Sequence, residues 1–174
     1  MVPVSLPETA QTLLTCVCEA LDLDLRGVCK CYQALGTPII PDCCECDDEG
    51  SNGEVSIHFR RLFDADPSTL QEVLRVRPCR GGVTAAQYRI VIARCRPIIN
   101  EKGELPDPED ITDAANDQMR DVELLWQSLA CCSGLELRID DVSADLSEPG
   151  MCSIIYADIT VAVRVPALPS DSSG

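Results

Sequence analysis

Aromatic side chains are scarce, with two Phe, three Tyr and one Trp among 174 residues. A core must therefore rest on Val, Ile, Leu and Ala. Histidine occurs once, at His58. A catalytic histidine needs an oriented nucleophile or acid beside it. Nothing local supplies one, so His58 reads as a surface residue on the polar side of a strand. The chain has no P-loop, no GxGxxG and no GxSxG, which removes the sequence signals for nucleotide-binding and serine-hydrolase chemistry. Its acids cluster at Asp47-Asp48-Glu49, at Asp107–Asp110 and at Asp140-Asp141, and none follows the calcium-loop pattern. No run approaches the roughly 20 apolar residues of a membrane span, and residues 1–15 lack the basic start of a signal peptide. The expectation is a protein made in a cytoplasm, with no membrane contact, no catalytic residues and no organic cofactor. Positive charge is also short: 14 Lys and Arg against 29 Asp and Glu give a net charge of −15. Such a polyanion should not bind nucleic acid by neutralising phosphates.

Cysteine is what the chain has in excess. There are twelve, seven of them between Cys16 and Cys46, falling as Cys16-x-Cys18, Cys29-x-Cys31 and Cys43-Cys44-x-Cys46. A chain of this length buries roughly 70% of its extended surface unaided, so the cysteines answer a local demand. One reading is disulfides, with candidates Cys16, Cys18, Cys29, Cys31, Cys43, Cys44, Cys46, Cys131, Cys132 and Cys152. One bridge would join the first helix to the strand after it, another would tie the acidic loop back, and one pair would form among Cys131, Cys132 and Cys152. The other reading is a structural zinc held by Cys29, Cys31, Cys43, Cys44 and Cys46, although the paired knuckles of common zinc sites are missing.

Periodicity supplies the elements. Ser5-Leu6-Pro7-Glu8 has capping-box spacing, and Ala10, Leu13, Leu14, Val17 and Leu21 mark one helical face after it. Cys16 and Cys18, about 200° apart on that helix, lie on opposite flanks of the face. Gly27–Ala34 reads as a strand, Thr37–Asn52 as a Cys-rich acidic loop, and Gly53–Phe63 as a strand with Val55, Ile57 and Phe59 on one side. Gln71–Val76 suits a short strand after a turn at Asp66–Thr69. Gln87–Arg96 is apolar on both faces, the mark of a central covered strand. Asp107 and Pro108 start a long helix with the stripe Ile111, Ala115, Met119, Val122, Leu125, Leu129 and Cys132, and Gly134 suits its C-cap. Trp126 reads as an anchor at the edge of this stripe. Leu135, Leu137 and Ile139 alternate in a strand, and a connection through Glu148-Pro149-Gly150 leads to a last strand with apolar odd positions from Ile155 to Val165. The reading is one α+β domain over residues 1–165, with its Cys-rich region at 16–46. It has a mainly antiparallel sheet of about five strands and two helices packed on it. A small polar tail at 166–174 is expected to be disordered.

The few cations are unevenly placed. Residues 60–96 carry eight arginines against three acids, +5 net, leaving −20 for the remainder. Opposite charge on different parts of one surface suits head-to-tail association of copies. Arg60, Arg61, Arg75, Arg77, Arg89, Arg94 and Arg96 are the candidate subunit contacts, the alternative being pairing with acids of the same chain.

The Cys-x-Cys strand, the segment GEVSIHFRRLF at 53–63, the segment GVTAAQYRIVIARCRP at 82–97, and the helix ending LLWQSLA at 124–130 carry a resemblance. In that order, across roughly residues 5–165, the chain resembles the tail terminator proteins of long-tailed bacteriophages, in particular Cys-rich versions from phages of actinobacteria. The resemblance implies a non-enzymatic virion protein of the tail neck, assembled in the host cytoplasm as a hexameric ring. Its partners would be copies of itself, the tail tube protein and the head-completion or stopper protein, with DNA passing through an acidic lumen unbound. Release of the virion would carry the cysteines into an oxidising environment. Another neck component (stopper or adaptor), a monomeric adaptor, or a Cys-rich metal-binding module are the competing readings.

Overall fold

The computed structural model describes residues 5–24, 27–34, 36, 53–73, 83–99, 103–145 and 152–163. Helix α1 spans Leu6–Leu23. The Glu8 carboxylate reaches back to both the backbone N–H and the hydroxyl of Ser5, at 3.1 and 2.6 Å, which anchors the first turn. Its buried face is the expected one: Ala10, Leu13, Leu14, Val17 and Leu21, with Thr9 beside them.

Five strands follow the expected order: β1 at Lys30–Ala34, β2 at Glu54–Ala65, β3 at Val83–Cys95, β4 at Leu137–Asp145 and β5 at Cys152–Val163. They form one sheet in the order β1-β2-β3-β5-β4. Only β1 runs parallel to its neighbour; the other three pairings are antiparallel. Of the expected short strand at 71–76, Glu72 makes a single bridge to Ala65, and residues 74–76 lie outside the described set. So do the Glu148–Gly150 connection, Val165 and the tail.

Gly53 precedes β2 with φ +92°, and a Cβ there would collide with the carbonyl of Ala93. Only glycine lets β2 start this close to β3.

Helix α2 spans Pro108–Ala130, with the Asp107 carboxylate accepting from the Glu109 N–H at 2.9 Å. The helix stops before Gly134. That glycine has φ +88° and serves the turn into β4, so it is not the C-cap that the spacing suggested.

Both helices lie on one face of the sheet. Their apolar residues meet Val55, Ile57, Tyr88, Ile90, Ile92, Ile155, Ala157, Ile159 and Val161 in a single cluster. Each fully buried Leu or Ile contributes roughly 1.5–3 kcal/mol, so this two-layer core carries the fold without aromatic help. Tyr88 is the exception, its hydroxyl donating to the Leu6 carbonyl at 2.9 Å and so fixing where α1 begins over the sheet.

Candidate functional site

The C-terminal half of α2 is buried through Leu124, Leu125, Ser128 and Leu129. Its N-terminal half overhangs the sheet. Ile111 is 51% exposed and Met119 59%, although both belong to the stripe that the sequence marks as a core face. Segment 96–99 faces this overhang across an open groove of about 620 Å³, walled by Pro97, Ile98, Ile99, Pro106 and Ile111. Gln118 also lines it. Its Nε2 is buried and has no hydrogen-bond partner among the described residues, a donor left at a cost of about 1–3 kcal/mol. A second hollow, of about 260 Å³, adjoins the first and includes Asp110, Asp113 and Asp117. With Glu109 they make this half of α2 acidic; between Pro108 and Met119 there is no cation.

The arginines divide into distinct sets. Arg94 is 8% exposed and grips Asp121 of α2 with two bonds, at 2.6 and 3.2 Å. It points to the helix face of the sheet and is committed inside the protomer, not to a neighbour. Arg89 holds Asp158 with two bonds, at 2.8 and 2.6 Å, and lies 4.3 Å over the Tyr156 ring. These bonds push its pKa further up. It too is paired within the chain. Arg61 is exposed, with Glu72 at 2.8 Å and the Phe63 ring at 4.8 Å. Arg60 is exposed beside it, near an irregularity in pairing between Phe59 and Arg61, and has no carboxylate partner among the described residues. Arg96 lines the groove. Arg75 and Arg77 lie outside the described residues.

The sheet face away from the helices corrects the reading of His58. The β2 side chains there are polar, as expected, but His58 is only 1% exposed and Ser56 2%. The Gly36 carbonyl, 3.0 Å from Nδ1, can only accept, so Nδ1 carries the proton and Nε2 accepts from the Ser56 hydroxyl at 2.9 Å. Burial holds the imidazole below its ordinary pKa, against the raising effect of the Gly36 bond, with Arg60 and Arg89 adding to the depression. Solvent does not reach the pair, so its geometry is that of a satisfied core contact. Glu54, 3% exposed, accepts from the Tyr32 hydroxyl at 2.8 Å. Burial first, then this bond, pushes Tyr32 up to about 12. Alternation could not reveal any of this, because buried and solvated polar residues have the same period.

Among the cysteines, Cys18–Cys31 joins α1 to β1, the bridge expected between the first helix and the next strand. Cys16–Cys132 joins α1 to the residues just after α2. No pair forms among Cys131, Cys132 and Cys152. The two helices pack side by side, which brings Cys132 to α1 with a Cα–Cα distance of 5.8 Å, and Cys131 stays an exposed thiol. Cys29, Cys95 and Cys152 are also disulfide-bonded. Cys95 was not among the candidates, although it faces Cys152 in the β3–β5 register. Of the five proposed zinc ligands, Cys29 and Cys31 are disulfide sulfurs here and not thiolates, and Cys43, Cys44 and Cys46 lie outside the described residues. Among the described residues no three His, Cys, Asp or Glu converge as a metal cage. Compared with known proteins, the chain matches no family model and no curated protein sequence.

Proposed function

We propose that this chain is a virion structural protein that closes into a ring with copies of itself. In this reading it is a tail terminator that caps the tail tube of a long-tailed phage and joins it to the head-tail connector. The observation that carries the reading is the uncovered stripe of α2. Ile111 and Met119 continue the register of a core face, yet stand more than half exposed beside exposed Ile98 and Ile99. A helix face built to be buried, left open among the described residues, is what a subunit leaves for a neighbour. The resemblance in element order supplies the kind of assembly. The tube protein and the stopper are its partners below and above, and an excess of acid over the whole chain lets DNA slide through the lumen. Disulfides that close after release from the cell harden the ring without impeding its assembly.

Native mass spectrometry and negative-stain micrographs of the purified chain, alone and with tail tubes, test this. Annular particles, and tubes capped at one end, are the expected result. A strictly monomeric chain that ignores tubes overturns it.

A further inference from the structure

We propose that the groove between α2 and segment 96–99 receives the distal half of β2, Phe59–Phe63, from the next copy of this chain. This inference rests on the ring reading and assigns the two faces of the joint. Strand β1 ends opposite His58. From Phe59 onward β2 has β3 on one side only, among the described residues, until Glu72 bridges Ala65. This stretch is apolar and basic: Phe59 is 42% exposed and Leu62 40%, and they flank exposed Arg60 and Arg61.

The groove is mostly aliphatic, with Arg96 at one end and carboxylates in the hollow beside it. The hollow that adjoins it carries Asp110, Asp113 and Asp117.

One protomer cannot make the contact alone. Phe59 pairs with Tyr88 in the middle of β3, and the groove begins at Arg96, past its C-terminal end. Eight residues of strand hold the two surfaces roughly 27 Å apart. A symmetric joint is also disfavoured. Groove against groove sets acids on acids, and β2 against β2 sets arginines on arginines, each repulsive. Joining unlike faces head to tail is the arrangement left, and it is the kind that closes into rings.

The test uses two full-length variants altered at exposed positions, with circular dichroism and urea midpoints confirming their folds. One carries Arg60→Glu with Leu62→Ser, the other Ile98→Ser with Ile111→Ser. Each alone should raise the self-dissociation constant at least about tenfold. Mixed, the intact groove of the first should take the intact β2 of the second and stop at a two-chain complex. Variants that assemble like the parent overturn the inference while leaving the ring reading in place. So does a mixture that stays monomeric. A groove variant that forms rings but no longer caps tubes reassigns the groove to the tube protein and overturns it as well. A parent chain that is monomeric with and without tubes overturns both this inference and the ring reading.

Discussion

Arg94 and Asp121 meet where β3 passes under α2, with side chains only 10% and 1% exposed. Breaking such a pair from one side leaves the other charge buried and costs about 3–5 kcal/mol. Arg94→Glu sets two carboxylates against each other at that point. We expect it to lower the urea midpoint sharply, with Arg94→Met less damaging when Asp121→Leu accompanies it. Equal denaturation curves for Arg94→Glu and the parent would contradict this placement. His58 gives the residue scale a pH dependence. Its folded pKa lies below the unfolded value of about 6.5, so the unfolded chain takes up its proton first as pH falls. Stability is intact above about pH 6.5 and declines below it, by at most about 1.4 kcal/mol per pH unit for one proton. Urea titrations between pH 7.5 and 5 should show this slope in the parent and lose it in His58→Gln. Equal slopes in the two proteins would mean that the imidazole is not held neutral by the fold.

The two fully defined disulfides divide the labour between elements. Cys18–Cys31 spans 13 residues and Cys16–Cys132 spans 116. Loop-closure entropy gives about 3 kcal/mol for the short loop and nearer 5 for the long one. Cys16→Ser/Cys132→Ser should therefore lose more stability than Cys18→Ser/Cys31→Ser, read from denaturant midpoints. Replacing both cysteines of a pair prevents Cys131 from substituting for its neighbour. The reverse order would show that the short bridge matters through the geometry of β1 and not through chain entropy. Much of this element scale was legible. The α1 stripe, the two-faced β3, the Asp107 cap and the period-two β5 all follow from side-chain spacing, because each rests on contacts within the element or with the layers directly against it. Three things were not. The parallel direction of β1 depends on how the chain returns from α1, which no local pattern encodes. The Cys16–Cys132 bond depends on helices packing side by side 116 residues apart. The α2 stripe marked a face to be buried, but the spacing could not say that Ile111 and Met119 on it would stand more than half exposed.

At the scale of the whole molecule, two electrostatic effects oppose each other. Every copy carries −15, so copies repel. The proposed joint sets Arg60 and Arg61 near Asp110, Asp113 and Asp117, so its faces attract. Screening separates them by range. At about 0.01 M salt the Debye length is roughly 30 Å, comparable to the protomer, and the repulsion of whole chains acts in full. Near 0.1 M it is about 10 Å, which damps the long-range repulsion but spares charges in contact; at 1 M, about 3 Å, the contacts weaken too. Self-association followed by light scattering should therefore strengthen from low salt to about 0.1 M and weaken again toward 1 M. Arg60→Glu should remove the weakening limb, because its joint gains from screening throughout. Association of the parent that strengthens steadily up to 1 M salt would instead indicate a joint held by the aliphatic walls of the groove alone, with the acidic rim of α2 only tolerated beside it.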